Sequence, residues 1–390
     1  MSENRTDPIV MIDVRRGYQE LREGIDRAVA ETLASGEYCL GSQVAAFETE
    51  IAAYLGIPHA VGVSSGTSAL LLALMEIGVG PGDEVIAPAF TFIATATGIS
   101  RLGARPVFVD VAPGGFQMDP AKLADAVTDR TRAVIPVHLY GFPAPIEAYR
   151  AACGRPIPCI EDACQAIGAR SAGKATGTGS EWGCYSFYPT KNLPACGDAG
   201  LMVTSDAPRA ERARRLRAHG IGEGRAYHHT VIGINARLDG IQGAILRVRL
   251  RHLDRWNGAR IGNALAYGRA FAASGLGSRT DPKTGMPALR IFPPPGPGQT
   301  SNYHQYPVRA SRRDELKAHL AEQGIQSAVF YPTPLPFQPA FLDLGAKPGD
   351  FPESEALARE ILCLPVHQHL APGDPERVAA EIGRFYGRRA

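Results

Sequence analysis

Between residues 59 and 204 the hydrophobic positions fall into short β-branched runs separated by stretches whose apolar residues recur at helical spacing. AVGVS (60–64) leads into SALLLALMEIG, EVIA (84–87) into TFIATATGIS, and PVFVD (106–110) into DPAKLADAV. AVIPV (133–137) is followed by PIEAYRAACG and then by PCIED (158–162). Strands that alternate with helices of this length predict βαβ units and a mostly parallel sheet with helices on both faces. In such an open sheet, binding groups collect in the crevice at the carboxyl ends of the strands. Past Thr204 the pattern predicts a basic amphipathic helix reaching a C-cap at Gly220, a Gly- and His-rich loop over 221–232, and a long helix over 238–253. The breaker-rich FPPPGPG (292–298), the strand-like NYHQYPVRA and the helical RRDELKAHLAEQG predict a smaller α+β unit. The expected division is a large domain over 1–258, including an N-terminal arm and helix, and a small one over 259–390, in line with a chain longer than one ordinary domain.

Composition narrows the function. The chain has 390 residues, 45% hydrophobic and 21% charged, with 41 basic against 39 acidic residues and a net charge of +2. No polyanion-binding field follows from that balance, and the basic run Arg209–Arg217 in APRAERARRLRAH reads as one solvated helix face, so no nucleic-acid partner is expected. The opening residues mix acids and bases without the apolar core of a signal peptide. ALLLALMEIGVG falls short of the roughly 18 apolar residues of a membrane span. Seven cysteines without a CxxC pair fit a reducing compartment, and the expected location is cytoplasmic. HExxH, zinc-type Cys/His spacing, GxSxG and GxGxxG are all absent, which removes the usual metal, hydrolase and dinucleotide signatures.

What remains is a set of groups that together suit pyridoxal phosphate, which needs an amine, a carboxylate for its ring nitrogen, a stacking surface and a cradle for a phosphate dianion. Lys191 lies in CYSFYPTKNLPACGDAG, just past an apolar aromatic strand and almost without other charges; alone it would read as a surface lysine. Asp162 ends PCIED, where it could pair with a protonated pyridine nitrogen or instead cap a helix, and alternation leaves Glu161 as an equal choice. Gln165 follows within one turn. SSGTSALLLAL places Gly66, Thr67 and Ser68 at a strand-to-helix turn, an anion site or a plain cap, and Ser186 could add a hydroxyl. Phe92 and Phe90 in PAFTFIATATG compete as the stacking ring.

These segments, together with VMIDVRRGYQELREGIDRAVAETLASGEYCLGSQVAAFETEIAAYLG, VHLYG, SFYPTKNL, GINARLDGIQ, NYHQYPVRASRRDEL and YPTPLPFQPAF, resemble the DegT/DnrJ/EryC/StrS sugar aminotransferases nearly end to end. The resemblance implies a fold type I, aspartate aminotransferase-like architecture: a three-layer α/β sandwich with a mostly parallel central sheet and a smaller C-terminal α+β domain. It implies Lys191 as the lysine that holds pyridoxal 5'-phosphate as a Schiff base and Asp162, not Glu161, on the ring nitrogen. Gln165 then lies near the phenolic oxygen, Phe92 rather than Phe90 on the ring, and Thr67, Ser68 and Ser186 on the phosphate. Asn235 in GINARLDGIQ would reach the phosphate from a second subunit, which implies a homodimer with shared sites.

The implied activity is amino transfer from L-glutamate or L-glutamine, through the pyridoxamine phosphate form, to a keto group of a nucleotide-linked deoxysugar, with a dTDP-3-keto-6-deoxyhexose favoured. Tyr38, His138, Tyr140, Tyr331 and the loop 221–232 are the candidates for substrate contact. A keto-cyclitol acceptor, amination at C4, and a non-catalytic regulatory homologue are the alternatives. Ile167 and Pro336 stand where related chains often carry histidine, so any contact made by those histidines is missing or rerouted. Relatives that work as dehydratases carry histidine in place of the lysine; Lys191 opposes that reading.

Overall fold

A computed structural model of the chain describes residues 7–222 and 227–387. Seven strands form the main sheet: β1 (His59–Val63), β2 (Glu84–Pro88), β3 (Arg105–Val109), β4 (Thr131–Val134), β5 (Ile160–Asp162), β6 (Trp182–Ser186) and β7 (Gly200–Thr204). Their order is β3-β2-β4-β5-β6-β7-β1, with β4 and β5 joined by the parallel bridges Val134–Cys159 and Val137–Asp162. Only β7 runs antiparallel to its neighbours β6 and β1. The sheet is therefore mostly parallel, as the alternation of strand and helix predicts. β2 and β7 are buried along their whole length, which explains why they read as unbroken apolar runs instead of alternating ones.

Helices cover both faces. Leu70, Leu72 and Leu74 of the helix Gly66–Ile77 pack with Val61, Val85 and Ile135 from the sheet and with Ala213 and Leu216 of the helix Ala207–Leu216. On the other face, Phe47 and Ile51 of the helix Gly41–Leu55 and Leu246 of the helix Gly240–Leu250 pack on Tyr185, Leu201 and Val203. A second sheet, ordered Leu289–Ile291, Tyr306–Ala310, Ile361–Leu364, is antiparallel and forms the smaller unit with the helices Arg313–Glu322, Pro352–Glu360 and Asp374–Phe385. Among the described residues no helix is long and apolar enough to cross a membrane.

The elements run across several of the expected boundaries. The predicted helix over 238–253 ends at Leu250, and a new 22-residue helix, Leu253–Ser274, begins after His252. The expected division at 258/259 falls inside that second helix. Its Asn257 bonds the Ile167 carbonyl of the large unit, while its Tyr267 and Phe271 sit in the core of the small one. The N-terminal arm belongs with the small unit too, because Ile9 pairs with Gly324, Ile325 and Gln326. The basic helix stops at Leu216, yet Gly220 at φ 76° still closes it by donating its N–H to the Arg215 carbonyl at 2.8 Å.

Asp110, at the end of β3, ties the two units together. Its carboxylate accepts from the N–H groups of Glu353 and Ser354 at the start of the helix Pro352–Glu360, from the Ser354 hydroxyl and from Lys122 at 2.9 Å. Burial pushes its pKa up, but these donors outweigh burial and hold it below the ordinary aspartate value. A carboxyl with a depressed folded pKa contributes stability above its unfolded pKa and loses it as the pH falls through the folded value. Asp110→Ala is expected to cost about 2–3 kcal/mol at pH 7, since it strands several buried donors. Urea titrations at pH 7 and pH 3 test this, with the difference between variant and parent shrinking at the lower pH.

Candidate active site

The carboxyl ends of β1, β2, β5 and β6 open onto a pocket of about 450 Å³, a size typical of small-molecule and cofactor sites. It is lined by Gly66 and Thr67 after β1, Phe92 after β2, Asp162 and Gln165 from the end of β5, and Ser186 and Lys191 from the end of β6. Tyr331, from the small unit, closes it. A larger groove of about 790 Å³ lies elsewhere, between the helices Arg22–Ser35 and Gly240–Leu250. Its lining mixes Arg22, Arg27, Arg247 and Arg251 with Glu20, Glu23 and Glu31, and it includes none of the predicted site residues.

Lys191 reaches the pocket because the chain turns after β6, where the Lys191 N–H donates to the Tyr188 carbonyl at 2.8 Å. Burial pushes its amine below the ordinary lysine pKa, and the charge of Asp162 opposes that shift. Asp162 faces the pocket side of the sheet. Thr95 donates to its Oδ2 at 2.8 Å, and the Cys164 N–H donates to its Oδ1 at 3.2 Å. Thr91 in turn lies 3.1 Å from the Thr95 hydroxyl.

Glu161 points the other way, accepting from the N–H groups of Gly177 and Gly179 and pairing with His138 Nε2 at 2.8 Å. The alternation that sequence leaves undecided is thus resolved by which face each carboxylate finds donors on. No helix follows Asp162, so the capping reading is replaced by a tight turn. Phe92 is half exposed and lines the pocket, 5.9 Å from the Tyr331 ring, whereas Phe90 is buried in the core. The Gln165 Oε1 accepts from the Tyr140 N–H, which turns its Nε2 toward Tyr331 Oη at 3.3 Å.

At the start of the helix Gly66–Ile77, Ser65 caps the Ser68 N–H at 3.0 Å. The approach is close: a Cβ on Gly66 would meet Cys164 Sγ at 2.6 Å and Ser186 Cβ at 2.8 Å. Ser68 departs from expectation, because its hydroxyl is shared with Ser64 and Ser65 and does not line the pocket; Ser65 lines it instead.

Two of the expected substrate contacts lie behind the pocket wall. His138 is buried with both ring nitrogens in use, Nε2 on Glu161 and Nδ1 accepting from the Ala144 N–H. Tyr140 is fully buried with its hydroxyl on the Phe330 carbonyl. Both support the pocket wall from behind and touch nothing inside it. Tyr38 is exposed and hydrogen-bonds the Leu33 carbonyl, and Asn235 is exposed with its Oδ1 accepting from Arg237. Neither lines the pocket of its own chain. Of the loop 221–232, residues 223–226 lie outside the described ones. Ile167 is packed in the core and Pro336 in the turn Leu335–Phe337, so neither substituted position lines the pocket.

Thr95, Ser65, His304 and Gln305 belong to the site and escape a reading by motif. Thr95 alone carries a local signal, three residues beyond Phe92 on the same helical turn. No group of three or more acidic, Cys or His side chains that could hold a metal ion occurs among the described residues.

The sequence profile of the DegT/DnrJ/EryC1/StrS aminotransferases matches residues 19–383. The chain belongs to that family. The chain is 43% identical to the dTDP-3-amino-3,4,6-trideoxy-alpha-D-glucose transaminase of Streptomyces venezuelae, over 99% of this chain and 98% of that one. It is 44% identical to a protein of Geobacillus stearothermophilus named a pleiotropic regulatory protein, over 97% and 98% of the two chains. The solved structure of S. venezuelae DesV in complex with a ketimine intermediate superposes with a TM-score of 0.91, at 41% identity over 98% of this chain and all of that one. The chain is a pyridoxal phosphate-dependent aminotransferase of the same fold. The pocket fits that cofactor: a desolvated amine, an anchored carboxylate, an exposed aromatic face and a helix start bare of side chain at Gly66 stand around one cavity.

A buried lysine with a depressed pKa penalises the folded apo-protein in full below its folded value, and the penalty fades between that value and the unfolded one, where only the unfolded chain binds the proton. Stability should therefore rise with pH from the lowered folded value toward the lysine value of 10.5. Thermal melts of the apo-protein across this range should show Lys191→Met melting higher than the parent at pH 7, with the gap closing as the pH rises.

Proposed function

We propose that this aminotransferase takes the amino group of L-glutamate, or L-glutamine, and places it on a keto group of a nucleotide-linked deoxysugar. A dTDP-3-keto-6-deoxyhexose is the favoured acceptor. The observation that carries the reading is the single pocket that brings Lys191 and Asp162 together with the free helix start at Gly66 and Thr67; the similarity to a dTDP-amino-sugar transaminase over nearly the whole chain supports the acceptor class.

Pyridoxal phosphate supplies an electron sink that makes the proton on the donor carbon removable. This chain's own residues do the rest. Lys191 would hold the cofactor and, once released, carry a proton between the donor carbon and the cofactor; burial shifts its amine toward the free base that this step needs. Asp162, fixed by Thr95 and the Cys164 N–H, would keep the ring nitrogen protonated. Phe92 would cover the ring and Gln165 would direct its amide N–H at the phenolic oxygen. The N–H groups of Gly66 and Thr67, with the Thr67 and Ser186 hydroxyls, would hold the phosphate. Asn235 would complete the phosphate site from a second copy in a two-fold homodimer, the commonest closed assembly.

Spectra test the donor and the acceptor. Cofactor-loaded protein should lose its visible absorbance on adding L-glutamate, release 2-oxoglutarate, and recover the absorbance with a keto sugar. No change with glutamate or glutamine would contradict the proposed donor. A mixture of Lys191→Ala and Asn235→Ala subunits, each inactive alone, should regain activity because one of the two sites in a mixed dimer keeps both residues. Failure to regain any would contradict a shared site.

A further inference from the structure

Next to Lys191 a set of amide side chains leaves one ring nitrogen of the pocket with a defined role. Asn192, Asn257, Asn302 and His304 are all at least nine-tenths buried. The Asn192 Nδ2 donates to Asn257 Oδ1 at 2.8 Å and to the Asn302 carbonyl at 3.0 Å, so both of its protons are used. Asn257 and Asn302 each donate through Nδ2 to the Ile167 carbonyl, at 3.1 and 2.9 Å. Every amide orientation in the set is fixed by these acceptors. The Asn192 oxygen is left facing His304 Nδ1 at 3.1 Å, and because an amide oxygen only accepts, Nδ1 must carry the proton.

Backbone geometry is shaped around this set. Gly141 at φ 90° admits the Asn302 oxygen where a Cβ would lie at 1.8 Å, and Gly168 at φ 84° admits Asn257, whose Nδ2 would stand 2.4 Å from a Cβ. Two positions of positive φ are thus held by glycine so that the amides can close up.

Nε2 of His304 has no hydrogen-bond partner among the described residues, and His304 lines the pocket beside Lys191. Burial, with the charges of Lys191 and Arg260, pushes the imidazole well below the ordinary histidine pKa. The ring therefore presents a lone pair to the pocket. A lone pair opposes a carboxylate, so neither acid group of glutamate suits it. An O–H donor does.

We propose that His304 is a specificity-determining residue, whose unprotonated Nε2 accepts a hydrogen bond from a hydroxyl of the sugar substrate and takes no part in binding the amino donor. The inference deepens the transaminase reading above and rests on it. Asn192 is the positioning residue that fixes the ring's proton on the far nitrogen.

His304→Asn is the informative variant, since its amide nitrogen can replace Nδ1 as donor to Asn192 while Nε2 is deleted. Glutamate and dTDP-3-amino-3,4,6-trideoxy-α-D-glucose can each be reacted singly with the cofactor-loaded enzyme and followed by the same loss of absorbance. The rate constant per concentration should fall about tenfold more with the amino sugar than with glutamate, the size of one neutral hydrogen bond. Equal losses with both, or none with the sugar, would overturn the assignment. A parent enzyme that reacts with glutamate but with no nucleotide-linked amino sugar would overturn the underlying reading of the substrate. Independently of activity, nitrogen-15 spectra of histidine-labelled protein, with and without cofactor, should show the His304 proton on Nδ1. A proton on Nε2 would refute the assignment.

Discussion

Lys191 is an amine kept where water is scarce, within reach of the charge of one carboxylate, and most of the surrounding architecture serves that arrangement. Burying a lysine penalises its charged form, which shifts the amine toward the free base that a nucleophile needs. Asp162 opposes the shift without cancelling it and is itself tethered by Thr95 and a backbone N–H. The carboxylate next to it in sequence, Glu161, is turned to the opposite side of the sheet, where His138 and two glycine N–H groups satisfy it. Two adjacent acids on one strand thus avoid repelling each other in the pocket. Their separation follows from the alternation of a β-strand.

The sheet decides where these groups meet. Four strand ends deliver Gly66 and Thr67, Phe92, Asp162 and Lys191 to one crevice, and the small unit closes it with His304, Phe330 and Tyr331. The two units are coupled close to the chemistry. The helix Leu253–Ser274 runs through both, Asp110 caps a helix of the small unit, and Asn192 bonds the Asn302 carbonyl one residue beyond Lys191. Any movement of the small unit would therefore be felt at the lysine loop.

The parts legible in sequence are those whose signal is local. Strand runs such as EVIA and PVFVD, the Gly66 turn and the uncharged surroundings of Lys191 depend on neighbours a few residues away. Choices between Phe90 and Phe92, or Glu161 and Asp162, need to know which face is wet, and sequence alone left them level until the family resemblance was added. For His138 and Tyr140, polar aromatic groups near strand ends suggest a ligand, whereas here Glu161, the Ala144 N–H and the Phe330 carbonyl engage their polar atoms. His304 was missed for the converse reason. Its role is set by Asn192, 112 residues away in the chain, and by the amides of Asn257, on a third segment, and of Asn302, two residues before it. The expected boundary at 258/259 falls inside the helix Leu253–Ser274, because a change in composition carries no signal for a helix that runs through both units.

Chemical trapping tests the central claim most directly. Borohydride reduction of the cofactor-loaded protein, followed by digestion and mass analysis, should fix a phosphopyridoxyl group on the peptide that contains Lys191 and on no other. A label on a different lysine, or none at all, would contradict the account.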